Sequence, residues 1–423
     1  MKETKDNRGI TLIALVITII VLLILAGVAI NLGINGGLFG QAGDAANKWK
    51  KAEKNEKDKL GEYIQDIRYW AYNESPLVTT ITTTNHGTIE AQDAKGNKVV
   101  VPGGFKIASS AYSTDEEVTV QTGIVIEDDN GNQFVWVPVS NINGDNNKDG
   151  DADGTEDYLI TLDDNSTVEI TLGRYTFESS SSSSPGASTI VQVGENYSNA
   201  VARETYYQEL STSEGNTAAK NLQAFVESVR DNKGYYFARY EASYGSGSAF
   251  GEGNDDTYYK PLSKPSTAKS TSSMNYNEGT LWNCITQPNA ALVCRQMYFG
   301  DSYVESDLVN TYAWDTAVVY IQAMGNENYA NANRGSNTTL LNTGSTGDSK
   351  CKIFDMAGNL IEWSTEHSTY SSGRASNKTY YPCVVNGGYY YSAGTGYTPS
   401  YRYFEKITRN DFYDGFRPLL YIK

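Results

Sequence analysis

Basic residues are scarce in this chain. Over 423 residues, 34 Lys and Arg stand against 50 Asp and Glu, a formal net charge of −16. That balance excludes electrostatic binding to nucleic acid or to an anionic lipid surface. Histidine is scarcer still. His86 and His367 are the whole complement and lie far apart in the sequence, too few for the histidine cluster an iron site needs. Four cysteines, Cys284, Cys294, Cys351 and Cys383, permit three pairings if oxidised. Outside the cell, disulfides 284–294 and 351–383 are expected.

Charge is missing altogether from Ile10 to Ile30, where Thr11 and Thr18 are the only polar side chains. As a helix this stretch is ~31 Å long, the thickness of a bilayer's hydrocarbon core, so a transmembrane helix is expected. The nine residues before it, MKETKDNRG, are polar and meet the apolar run abruptly at a glycine. This junction resembles the class III signal of type IV pilins and pseudopilins. The resemblance implies cleavage by a prepilin peptidase between Gly9 and Ile10, methylation of the new terminus, and association with other pilin-like subunits. The family's usual Glu five residues after the cut is here Ala14, which points to a minor or non-polymerising member. Lys2, Lys5 and Arg8 should keep the leader in the cytoplasm. A single-pass protein at the cell surface, its C-terminal domain extracellular, is therefore expected.

Beyond the glycine-rich segment 31–43, a second helix is expected over Asp44–Tyr72. An imperfect apolar stripe marks one side, and lysines interleaved with glutamates mark a solvated one. After Pro76 the pattern changes to short runs rich in Thr and Val: Thr79–Thr84, Val99–Val101, Val118–Ile126 and Phe134–Val139. These read as strands. Helices are expected near Thr217–Arg230, Gln287–Met297 and Thr311–Met324, with a strand at Tyr235–Glu241. Six consecutive serines, Ser179–Ser184, mark an exposed loop.

Between two strand-like flanks lies the acidic segment Asp145–Glu156. It fits D-x-[DN]-x-[DN]-G-x5-E along its whole length, with Gly150 at the sharp turn. Asp145, Asn147, Asp149, Asp151 and Glu156 could supply oxygen ligands to calcium. An Asp/Gly-rich loop without metal is the plainer reading; the complete fit favours calcium, and no redox cofactor is expected.

The C-terminal part carries a second resemblance. Phe354-Asp-Met-Ala-Gly-Asn-Leu-Ile-Glu-Trp363, Asn386-Gly-Gly-Tyr389 and Gly415-Phe-Arg-Pro418 are similar, in order, to the DMxGNVxEW, RGGSW and closing GFR motifs of the formylglycine-generating enzyme and sulfatase-modifying-factor family. Phe134-Val-Trp-Val-Pro138 and Arg239-Tyr-Glu241 match its opening segments. The resemblance implies an α+β, C-type-lectin-like domain over residues 76–423 with an insertion at about 140–215, following leader 1–9 and helical segment 10–75. It does not carry over the family's chemistry. The two copper-binding cysteines of the oxidase fall near Ser392 and Tyr397 in this sequence, so a membrane-tethered oxidase is disfavoured.

A binding role is favoured instead. Ten of the 32 tyrosines lie between Tyr380 and Tyr421, mixed with Gly, Ser, Thr and Asn, a mixture that gives rigid contact area and adaptable hydrogen bonds. The same window resembles the variable proteins diversified by retroelements. The residues expected to face an external protein or glycan ligand are Tyr390, Tyr391, Ser392, Thr395, Tyr397, Asn410, Asp411, Phe412 and Tyr413. A structural pseudopilin with no ligand of its own is the alternative.

Overall fold

The computed structural model describes residues 17–22, 48, 50–52, 54, 59, 75–142, 158–177, 188–191, 200–202, 222–268, 277–332, 339–368, 383–391 and 398–423. Two compact units divide the chain, Met1–Ile64 and Gln65–Lys423. In the first, the described residues are all helical and exposed, among them Ile17–Leu22 and Lys48, Lys50, Lys51, Lys54 and Lys59. Gly9, Ile10 and the rest of the charge-free stretch lie outside the described residues. Among those described, no helix is long and apolar enough to cross a membrane. The expectation of a single-pass cell-surface anchor is corrected accordingly.

The second unit is mixed α+β and mostly strands. Its principal strands are β1 (Phe105–Ile107), β2 (Val125–Asp128), β3 (Gln133–Pro138), β4 (Ala200–Ala202), β5 (Gly234–Ala238), β6 (Val304–Leu308), β7 (Ile361–Ser368), β8 (Cys383–Asn386), β9 (Arg402–Glu405), β10 (Asp414–Phe416) and β11 (Pro418–Ile422). Three helices accompany them: α1 (Leu222–Asn232), α2 (Gln287–Met297) and α3 (Thr311–Ala323). An antiparallel sheet has the order β6-β11-β5-β3-β2-β1. Every residue of β3, β5 and β11 is buried. That is why their sequences run continuously apolar and aromatic instead of alternating. A second sheet has the order β4-β7-β8-β9, with β10 running parallel to β7.

Two of these helices begin at a capping side chain. The Thr286 side chain accepts from Asn289 N–H at the head of α2, and Asn310 accepts from Ala313 N–H at 2.9 Å at the head of α3. Each satisfies one of the orphan donors of a first turn. Helix α3 is buried on nearly every side and contacts both sheets, as expected of a helix apolar all round. Two expectations are corrected. Thr79–Thr84 opens with a 3-10 turn, Val78–Thr80, in place of a strand. Within Val118–Ile126 only the last two residues enter β2, because Thr119 and Thr122 bond one another's backbone and make residues 119–123 a turn.

The two sheets meet in one short passage of chain. Phe416 pairs with Trp363 at the end of β10, and Pro418 pairs with Leu308 at the start of β11. Arg417 alone separates them, fully buried.

Candidate functional site

Two of the three motifs of the C-terminal part, Phe354–Trp363 and Gly415–Pro418, meet at Arg417. Its guanidinium donates from Nε to Glu362 Oε2 at 2.9 Å and from Nη2 to Glu362 Oε1 at 2.6 Å. It also donates to the carbonyls of Ala238 and Phe354, at 2.9 and 2.8 Å. Such a fork matches a carboxylate in two places at once, which a lysine cannot do. Glu362 comes from β7, Ala238 from β5, and Phe354 from the short strand Ile353–Phe354 just before the Asp355–Asn359 loop. That loop needs left-handed backbone at Asp355 (φ 69°) and Asn359 (φ 80°), which Asn and Asp tolerate better than most residues. The Asp355 carboxylate holds it by accepting from Thr343 Oγ1 at 2.6 Å, Gly344 N–H at 2.8 Å and Thr346. Asn359 donates to Glu241 at 2.6 Å, and Glu241 also accepts from Leu360 N–H at 2.8 Å. Burial pushes the Glu241 carboxyl well above the usual carboxylate range, and Asp355 and Glu362 add to the effect.

The loop's last residue leads to the surface. Tyr390 N–H donates to the Asn359 carbonyl at 3.0 Å, and Gly387 N–H to the Tyr401 carbonyl at 3.1 Å. Gly387 has φ +80°, and a Cβ there would lie 2.8 Å from the Met356 carbonyl oxygen and 3.3 Å from the Trp314 ring. No other residue fits that turn without displacing the frame. The segment that follows, Tyr389–Tyr391, meets Phe412 and Tyr413. Ring centroids of Tyr389, Tyr390, Tyr391 and Phe412 lie 5.0, 5.5, 5.9 and 4.0 Å from that of Tyr413, all tilted. Tyr391 is 61% exposed, the others are half-buried, and Asn410 beside them is exposed.

Backbone bonds pin this face from below. Ile361 N–H donates to the Tyr413 carbonyl at 3.0 Å and Cys284 N–H to the Asp411 carbonyl at 3.1 Å; the Asn283 amide donates to the Phe412 carbonyl at 3.0 Å. Asp411 closes its own turn, accepting from Phe412 N–H at 2.6 Å. With the main chain so occupied, the side chains are what the segment offers to a partner. Burial and the neighbouring Tyr413 push the Tyr390 hydroxyl up to about 12, so it stays a neutral donor. Behind the face, Arg409 lies between Asp414 at 2.7 Å, Glu405, and Asp411 at 3.8 Å. Burial outweighs Arg409 here, lifting the Glu405 carboxyl to about 7 and the Asp414 carboxyl to about 6.

Of the residues the sequence assigned to the face, the structure brings together Tyr390, Tyr391, Asn410, Asp411, Phe412 and Tyr413. Ser392, Thr395 and Tyr397 lie outside the described residues, as do Asp145, Asn147, Asp149, Asp151 and Glu156 of the acidic loop. Among the described residues no group of His, Cys, Asp and Glu could hold a metal ion. The expected disulfides are corrected: all four cysteines are thiols. Cys383 belongs to the core under β7 and β8, whereas Cys351 packs at the edge of the core around α3. Burial pushes the Cys294 thiol well up and the Cys351 thiol up to about 12, the reverse of an activated thiolate.

Sequence reasoning missed a buried ionic cluster beneath β9. Arg402 donates to Glu366 at 2.9 Å, to Thr311 at 3.0 Å and to Asp315, and Arg174 pairs with the same Glu366. Burial alone would raise the Glu366 carboxyl, but the two guanidiniums hold it below its ordinary value. A signal was present: Asp315 is the one carboxylate in α3, TYAWDTAVVYIQA, and a lone acid in an apolar helix requires a buried partner.

Frame and face together define a mixed α+β protein with an aromatic surface fixed on a buried ionic core. No protein-family model matches the chain, and no curated protein does. Among solved structures it is similar to the Major Tropism Determinant U1 variant at 11% identity, over 83% of this chain and 100% of that one, with a TM-score of 0.26. The P3c variant gives 12% identity, 82% and 99% coverage, and a TM-score of 0.26. Scores of 0.26 do not establish a common fold.

Proposed function

We propose that this chain is a non-catalytic ligand-binding protein. Its C-type-lectin-like frame presents Tyr389–Tyr391 and Asn410–Tyr413 to an external protein or glycan. The observation that carries the reading is Tyr413, ringed by four aromatic side chains on a main chain already committed to internal hydrogen bonds. Such a face is pre-organised, so little ordering entropy is lost on binding. The non-catalytic part of the proposal is supported by Ser392 and Tyr397 standing where the oxidase family has thiols, and by the upward push that burial gives the Cys294 thiol. The Tyr, Ser, Asn and Gly of the 387–413 window fit a surface whose side chains vary over a fixed frame, as in retroelement-diversified proteins.

The test is to screen the whole chain on arrays of glycans and extracellular proteins beside a Tyr391→Ala, Phe412→Ala variant. The variant should stay folded, with a modest fall in melting temperature from the lost Phe412–Tyr413 contact, and lose most of its binding. Undiminished binding by a folded variant would place the ligand elsewhere.

A further inference from the structure

Resting on the ligand-binding reading above, we infer that the aromatic face is joined, through the buried segment Trp282–Cys284, to a second contact element, the loop at residues 247–259, and that the two together receive a basic segment of a protein partner. The rings of the second element form a cluster of their own around Tyr259. Phe250, 42% exposed, has its centroid 4.8 Å from Tyr259, and Tyr259 lies 5.8 Å from both Tyr244 and Trp282. The residues after Trp282 then hold the first face, through the Asn283 amide on the Phe412 carbonyl and Cys284 N–H on that of Asp411. Each element therefore carries one exposed ring, Phe250 on Tyr259 and Tyr391 on Tyr413, and the two inner rings pack against one shared core.

The second loop is built as firmly as the first. Ser248 and Ala249 N–H donate to the Thr257 carbonyl at 2.7 and 3.1 Å, and Tyr259 N–H returns to Ala249 at 2.9 Å. The Gln296 amide clamps Gly253, accepting from its N–H at 3.0 Å and donating to its carbonyl at 2.9 Å. The loop's remaining polar side chains point to the partner's charge. Asp255 and Asp256 are exposed and, among the described residues, neither is in an ion pair. Glu252 is already engaged by Arg295, which also faces Asp307. A net charge of −16 repels anionic ligands and draws cations. Aromatic faces with carboxylates beside them suit Lys and Arg side chains, whose stems lie on rings while their heads meet acids.

The probe is an array of matched peptides differing only in Lys or Arg against Gln at the same positions, with neutral glycans beside them. The full chain should bind the Lys/Arg members, and binding should weaken as salt rises from about 50 to 500 mM. Phe250→Ala and the pair Asp255→Asn, Asp256→Asn alter exposed side chains and should leave the melting temperature unchanged while weakening binding about threefold to tenfold. If Tyr391→Ala abolishes binding while the 247–259 variants bind as the parent does, the inference fails and the ligand-binding reading stands. Equal binding to the Gln peptides, or binding of neutral glycans alone, likewise overturns the inference and leaves that reading intact. A chain that binds the Lys/Arg peptides regardless of both Tyr391 and the second loop overturns both.

Discussion

Arg417 and Glu362 close a two-bond fork, at 2.6 and 2.9 Å, at the point where the chain leaves one sheet for the other. Both are out of contact with solvent. The pair therefore ties the sheets through a bond that water does not compete for. Removing one member leaves the other charge buried without its counter-ion, which costs about 3–5 kcal/mol. Arg417→Ala and Arg417→Lys should both show large losses in chemical denaturation, because Lys cannot make the fork. A lysine variant as stable as the parent would show that only the charge matters.

The aromatic face divides into a ring that packs and a ring that waits. Tyr391→Ala should change stability by no more than about 0.5 kcal/mol, since most of its surface already meets water. Tyr413→Ala removes four ring contacts and should cost about 1–3 kcal/mol. Denaturant titration of the two variants distinguishes them; equal losses would mean that Tyr391 is packed in solution.

Glu405 and Asp414 make stability depend on pH in an unusual direction. Their carboxyls sit at about 7 and about 6 in the folded chain, against ordinary values of 4.5 and 3.8. The native state therefore holds protons that the unfolded chain has released, and stability falls as pH rises from about 4 to 7. Melting curves at pH 5 and pH 8 should show a loss at the higher pH that Glu405→Gln makes smaller. A rise in stability over that range would contradict it.

The cysteines should behave as buried thiols. A thiol reagent should modify none of Cys284, Cys294 and Cys383 in the native protein and all four cysteines after unfolding. Reducing agent should leave the melting temperature unmoved. A shift of several degrees on reduction would restore the disulfides.

The acidic loop is expected to bind calcium weakly, in the sub-millimolar to millimolar range of extracellular sites. Calorimetry on the whole chain should detect heat that Asp149→Ala with Glu156→Ala removes. Identical titrations for both proteins would leave the loop without a metal.

Much of this was legible beforehand because it is local or periodic. The strand-like run Phe134–Val139 and the helical stretches near Gln287–Met297 and Thr311–Met324 state their structures in a few adjacent letters. The family motif marks Asp355–Asn359 as a segment of interest, but its letters do not state the left-handed backbone found there. Arg174, Asp315, Glu366 and Arg402 could not be assembled in advance, for they lie up to 228 positions apart and charge alone does not say which acid meets which base. Thr79–Thr84 misled because β-branched residues favour strands only where a neighbouring strand offers a ladder; here the chain turns at Val78 before one is reached. The second aromatic element escaped notice since Phe250 and Tyr259 belong to a glycine-rich acidic loop that reads as solvent-facing.

The strand order sets a schedule. Strand β11 comes last of the labelled strands in the chain, yet it lies inside its sheet, between β6 and β5. During synthesis those two neighbours emerge with their facing edges vacant and stay so until residue 422 has left the ribosome. Exposed edges of apolar strands invite pairing with other chains, so the growing polypeptide should depend on holdase chaperones. Shortening it by the six residues after Arg417 should yield aggregates, not a smaller folded protein.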